Sequence, residues 1–207
     1  MTRIDEVKER VLEMLTEMPT KQSLLVGISG IDASGKGYIT SKLAAALRTD
    51  LKVAVINADG WLNLPEIRFS DLEAGRHFYE NAIRFAEMFE SLIKPLKQNG
   101  RVDVVADSLG ETSTAFQPQR YFHKNIDIIL LEGIFLFKRD LVQLFDMRIW
   151  VDCSFETARQ RAVARSQEGL SARDTAKAYE TIYFPAQRLH LAIDEPHLAA
   201  DLLLSNN

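Results

Sequence analysis

The chain has 207 residues, with 25 Lys plus Arg against 29 Asp plus Glu for a formal net charge of −4, and it is 46% hydrophobic with only 6 Pro and 10 Gly. That length fits one domain with a modest elaboration, the apolar content excludes a disordered or fibrous chain, and the lack of excess cation excludes a general electrostatic nucleic-acid binder. Cys153 is the single cysteine, which excludes an intrachain disulfide and the usual structural zinc clusters and fits a reducing, cytoplasmic setting.

In chain order, Met1 to Leu15 mixes charged and apolar residues and predicts an amphipathic helix within residues 1–20, not a secretory leader. Short β-branched runs then recur at Leu24 to Ser29, Val53 to Asn57, Val102 to Ala106, Ile128 to Leu131, Met147 to Val151 and Leu202 to Leu204. Several lack polar alternation, the pattern of strands buried on both faces of a parallel sheet. Helical patterns separate them: Lys36 to Arg48, roughly Glu80 to Lys97, Phe155 to Gln167, and Ser171 to Leu191 with a kink or break expected at Pro185. Leu43, Ala44 and Leu47, and then Ile83, Ala86, Phe89, Ile93 and Leu96, read as core-facing stripes. The most apolar stretch, Ile126 to Phe137, is interrupted by Asp127 and Glu132 and falls short of the roughly 18 residues of a membrane span. Alternating strands and helices predict an α/β fold: a three-layer architecture with a mainly parallel sheet of about five strands and helices on both faces, in a single domain over 1–207.

Between the first strand and the first strand-following helix stands Gly30-Ile31-Asp32-Ala33-Ser34-Gly35-Lys36-Gly37, a G-x-x-x-x-G-K segment in the context a phosphate-binding loop requires. Its glycines let the backbone wrap an anion, the helix-start N–H groups donate to phosphate oxygens, and the lysine neutralises the β and γ phosphates. This assigns Gly30, Asp32, Ala33, Ser34, Gly35, Lys36, Gly37 and Tyr38 to ATP binding. Gly37 stands where a Ser or Thr hydroxyl would ligate Mg²⁺, with Thr40 one turn further on. The spacing of Gly27, Gly30 and Gly35 does not fit a nicotinamide fingerprint.

Two carboxylates follow strands, where open α/β sheets bind ligands. Asp59 could take a proton from an attacking hydroxyl or hold Mg²⁺, or serve only as an Asp-Gly turn residue. Glu132 could meet the Mg²⁺ shell or cap a helix. Arg161 and Arg165, at i and i+4, could clamp a transferring phosphoryl group or form a solvated face. The four histidines show no metal-site spacing.

Taken together, these residues resemble the uridine kinase and phosphoribulokinase group of phosphate-loop kinases. The likeness is carried by Gly27 through Lys36, Asn57-Ala58-Asp59-Gly60-Trp61-Leu62, Leu130-Leu131-Glu132-Gly133-Ile134-Phe135, the Arg161 to Arg165 helix, and the stretches Tyr183 to Leu189 and Ala200 to Asn206. It implies an ATP- and Mg²⁺-dependent phosphotransferase acting on a hydroxyl of a small metabolite, with a nucleoside such as uridine as the first acceptor and pantothenate-like or sugar-phosphate compounds as alternatives. On that resemblance Lys36 holds the triphosphate, Asp59 is the base and a metal ligand with Glu132, and Arg161 and Arg165 belong to a lid at about 155–175. Asp59, Trp61, Tyr79, Asn81 and Arg188 would line the acceptor pocket. The stretch Gly75 to Asn81 departs from the acidic, His-Pro-containing pattern of uridine kinases. The resemblance implies no nucleic-acid or membrane partner and allows a homo-oligomer. Two other functions compete: a nucleotide-binding module with little transferase activity, motivated by Gly37, and a GTPase-like hydrolase, disfavoured because no Asn-Lys-x-Asp segment occurs.

Overall fold

A computed structural model describes residues 4–19, 21–110, 113–165 and 171–207. Its main sheet has five strands, all parallel: β1 (Leu24–Gly30), β2 (Val53–Asn57), β5 (Ile128–Glu132), β6 (Met147–Asp152) and β7 (Leu202–Ser205), in the order β2-β5-β1-β6-β7. Alternate residues of each strand supply two cores. Leu24, Val26, Ile28, Ile128, Leu130, Met147 and Ile149 pack with α1 (Ile4–Thr16) and α2 (Lys36–Leu47) on one face. Leu25, Ile56, Ile129, Leu131 and Trp150 face the other core, which takes in α4 (Ala74–Asn81), α5 (Phe85–Met88), α6 (Lys94–Asn99), α7 (Phe155–Arg165) and α9 (Phe184–Asp194). Burial on both faces is why these strands read as continuous apolar runs.

One predicted strand lies elsewhere. β3 (Val102–Ser108) pairs antiparallel with β4 (Gln117–His123), a strand the sequence pattern did not reveal, in a separate two-stranded hairpin. The region expected as one helix from Glu80 to Lys97 is two: α4 ends at Asn81, Ile83 bridges to Leu62, and the helix resumes at Phe85. The helix expected over Phe155 to Gln167 is seen as far as Arg165; residues 166–170 of the expected lid lie outside the described residues.

The break expected at Pro185 does not occur. α8 (Ala172–Ala178) runs through a π-helical turn, Tyr179–Tyr183, into α9, whose second residue is Pro185. A proline offers no N–H to the carbonyl four residues back and crowds it. Here the ladder widens just before it, and the Phe184 N–H bonds to the Tyr179 carbonyl five residues earlier. The same solution precedes Pro95, where the turn Phe89–Ile93 closes with the Lys94 N–H on the Phe89 carbonyl.

Candidate active site

The loop between β1 and α2 is shaped by close approach. A Cβ on Gly30 would stand 2.5 Å from the Val151 carbonyl oxygen, so only glycine lets β1 end against β6 at this point. Gly35 takes φ +92°, in the left-handed region, and α2 starts at the next residue with its first N–H groups open to a ligand. The Lys36 ammonium reaches back to donate to the Ile31 carbonyl at 2.9 Å. Asp32 accepts from the Ala33 N–H at 2.8 Å and, through its other oxygen, from the Tyr179 hydroxyl.

Asp59 follows β2. The Asn57 side chain accepts the Asp59 N–H at 2.8 Å, capping the 3₁₀ turn Ala58–Trp61 and setting the carboxylate beyond the sheet edge. Asn57 is the register partner of Glu132, so the ends of β2 and β5 bring both carboxylates to one place. Buried Thr40 donates its hydroxyl to Glu132 at 3.4 Å.

These groups converge on a cavity of about 640 Å³ at the carboxyl edge of the sheet, lined by Asp32, Lys36, Asp59, Glu132, Arg161 and Arg165 among others. Burial lowers the pKa of Lys36, opposed by Asp32, Asp59 and Glu132. Burial raises Asp59, and the like charge of Asp32 adds to it against the pull of Lys36. Burial raises Glu132 likewise, with Lys36 opposing. Two half-buried carboxylates held partly against ionisation, with a hydroxyl beside one of them, make an oxygen-donor set that fits a hard divalent cation. The left-handed glycine, the open helix start and the lysine fit a polyphosphate.

Of the residues expected at the site, Asp32, Ala33, Gly35, Lys36, Gly37, Tyr38, Asp59, Glu132, Arg161 and Arg165 line this cavity. Gly30 and Ser34 shape the loop from behind. Arg161 is tied down: it donates to the Asn206 carbonyl at 2.8 Å and to the Ser34 carbonyl at 3.4 Å. Four expected acceptor contacts are not brought to the cavity. Trp61 is buried and stacked on Tyr121 at 5.6 Å. The Tyr79 hydroxyl donates to Asp194 at 2.5 Å, and the same carboxylate takes His190 Nδ1 at 2.7 Å. Asn81 spends its amide on the His77 carbonyl of its own helix. Arg188 lies over the rings of Phe155 and Phe184.

Asn206 and Tyr179, neither singled out from the sequence as site residues, both contact the phosphate loop. Asn206 donates its side-chain amide to the Ser34 carbonyl at 2.7 Å. The hairpin approaches from the other side, with the Leu109 N–H on the Gly60 carbonyl at 3.1 Å.

A sequence model of the family described as "Phosphoribulokinase / Uridine kinase family" matches residues 25–183. The chain is 28% identical over 187 residues to a uridine kinase of Macrococcus caseolyticus (strain JCSC5402), covering 84% of each. It is 26% identical over 156 residues to uridine kinase-like protein 3 of Arabidopsis thaliana, covering 74% of this chain and 33% of that one, so it spans about a third of that relative's length. Its fold is similar to a structure described as a possible uridine kinase from Bacillus stearothermophilus, with TM-score 0.70 and 20% identity over 96% of this chain and 99% of that one.

Proposed function

Because the chain belongs to the phosphoribulokinase/uridine kinase family of kinases, we propose that it transfers the γ-phosphoryl group of ATP to a hydroxyl of a small metabolite, with a nucleoside such as uridine as the first acceptor to test. The observation that carries this reading is the convergence of Lys36, Asp59 and Glu132 on one cavity beside the phosphate loop. Among the described residues, no helix is long and apolar enough to cross a membrane. With its lone cysteine, we assign the protein to the cytoplasm.

In this reading the loop from Gly30 to Gly37, with Tyr38, receives the triphosphate on its backbone N–H groups, and Lys36 exchanges the Ile31 carbonyl for the β and γ oxygens. Asp59 accepts the acceptor's hydroxyl proton. The hydroxyl oxygen then bonds to the γ-phosphorus, the bond from that phosphorus to the β–γ bridging oxygen breaks, and ADP leaves. Arg165 faces the charge that develops, while Arg161 braces the loop to the tail at Asn206 and extends its remaining donors toward the cavity. Glu132 and Asp59 would hold Mg²⁺, which would supply neutralisation of the triphosphate's charge. The test is Mg²⁺-dependent ADP release from ATP across nucleosides, pantothenate, sugars and sugar phosphates, with Asp59→Asn run alongside. Acceptor-stimulated release that disappears in the variant supports the kinase; ATP binding without stimulated release favours a nucleotide-binding module, the reading that Gly37 motivates.

A further inference from the structure

We infer that Asp32, oriented by Tyr179, is an acceptor-binding residue that selects an uncharged, hydroxyl-rich compound over its phosphate ester; the inference rests on the kinase reading above. An acidic side chain inside a phosphate-binding loop needs an explanation, because it repels the anion the loop exists to bind. Here the carboxylate is fixed from two sides. One oxygen accepts the Ala33 N–H at 2.8 Å, and the other accepts the hydroxyl of Tyr179 on the π-helical turn before α9. An ionised carboxylate has about four acceptor positions, so two such bonds leave capacity for hydroxyl donors in the cavity that Asp32 lines.

Its place within the cavity gives that capacity a use. Glu132 lies against Gly37 and Thr40, since a Cβ on Gly37 would stand 3.5 Å from its carboxylate and Thr40 donates to it. Asp32, Asp59 and Glu132 all line one cavity, with Glu132 held at α2 by Thr40 and Asp32 held within the phosphate loop. In the kinase reading Glu132 serves the cation, which leaves Asp32 to meet the hydroxyl compound that Asp59 deprotonates. Among the described residues, the cations lining the cavity are Lys36, Arg161 and Arg165, with Arg161 already bonded to the Ser34 and Asn206 carbonyls. A phosphorylated acceptor would meet the carboxylates of Asp32 and Asp59 in the cavity where a sugar's hydroxyls would find acceptors. A site built to receive hydroxyl protons discriminates strongly against compounds that cannot supply them.

ADP release with Mg²⁺ and ATP is followed for matched pairs: uridine and uridine 5′-monophosphate, D-ribose and D-ribose 5-phosphate, D-fructose and D-fructose 6-phosphate. The neutral member of at least one pair should turn over about tenfold faster than its ester, and which pair responds separates a nucleoside from a free sugar as the source of the hydroxyls. For that acceptor, Tyr179→Phe should raise KM about tenfold while kcat and the KM for ATP stay within about twofold. Asp32→Asn should raise the acceptor KM further, with the KM for ATP unchanged or lower because a like charge has left the loop. Thermal unfolding of each variant shows whether the fold is intact, and the Asp32→Asn arm decides if Tyr179→Phe loosens α9. Preference for the phosphorylated member, a loss carried by kcat or by ATP, or ATP binding by calorimetry with no stimulated release overturns the inference. No ATP binding at all overturns the kinase reading beneath it.

Discussion

The side chain of Asn206, one residue beyond β7, fills the space beside Gly35: its amide donates to the Ser34 carbonyl at 2.7 Å and would collide with any Cβ placed on the glycine. The segment just after β7 thus closes one wall of the phosphate loop. Gly35→Ala adds that Cβ at a φ of +92° and should cost about 1–3 kcal/mol and abolish nucleotide binding. Asn206→Ala removes one hydrogen bond and should cost about 1 kcal/mol. Because it also clears the collision, the double variant should recover part of the Gly35→Ala loss, which thermal unfolding and ATP titration would read as a positive coupling.

Asp59→Asn should lower acceptor-stimulated turnover by about a hundredfold to ten-thousandfold with ATP affinity little changed. The base works only when ionised, and burial with the Asp32 charge raises its pKa. Acceptor-stimulated ADP release and ATP titration of the variant check the two arms.

The same shift has a consequence for folding. A carboxyl whose pKa is higher in the folded state than in the unfolded one destabilises the fold as pH rises and it must ionise. At neutral pH, Asp59→Asn and Glu132→Gln should each raise the melting temperature of the ligand-free protein. The gain should shrink as pH falls toward the ordinary carboxylate range. A lower melting temperature at pH 7 would contradict the assigned burial.

Gly37→Ser should be sterically accepted, since the added Cβ lies 3.5 Å from Glu132, an ordinary contact. It supplies a hydroxyl at the start of α2 where an oxygen-seeking cation could use it. The Mg²⁺ concentration for half-maximal ADP release should fall several-fold, and replacing the flexible glycine should stabilise the helix by a few tenths of a kcal/mol. An unchanged Mg²⁺ requirement would mean that Glu132 and Thr40 already complete the site.

His190 is buried with Nδ1 on Asp194, and burial lowers its pKa below 6.5 despite that carboxylate. Neutral His190 then donates through Nδ1 and leaves Nε2 as a bare acceptor. Burial pushes Asp194 up, but bonds from His190, Tyr79 and the Arg139 N–H outweigh it and hold the carboxyl below its ordinary value. Both shifts have one sign: the folded state binds fewer protons, so stability is lost as pH falls, first through the unfolded histidine value and then through the carboxyl. The melting temperature should drop between about pH 7 and 5, and His190→Gln should flatten that slope. Asp194→Asn should cost about 1–3 kcal/mol near neutrality by leaving donors short of a charged partner.

The features most legible in the sequence were those written in adjacent residues. The phosphate loop is a contiguous segment between a strand and a helix, and the five parallel strands announce themselves as short, mostly apolar runs. β4 was hidden because Gln117, Pro118, Gln119 and Arg120 are all exposed, so neither face leaves an apolar imprint. Asn206 and Tyr179 reach the loop across 172 and 147 residues of chain, and no local pattern encodes such meetings. Tyr79, Asn81 and Arg188 were placed near the acceptor by segment likeness alone. In the fold they serve α4, α9 and the aromatic packing around Phe184.

The two π-helical turns bear on how this chain tolerates change in length. Each holds one residue more than an α-helical ladder would need over the same rise, immediately upstream of Pro95 or Pro185. Because the widened turn absorbs that residue, deleting one of residues 180–183 would return the ladder to α spacing with little change in the faces on either side. Tyr179 and the inward row of Gln187, His190 and Asp194 would keep their directions. A homologue one residue shorter there would keep the bond to Asp32 and the buried seat of α9, and would instead crowd the ring of Pro185 against the carbonyl four residues back.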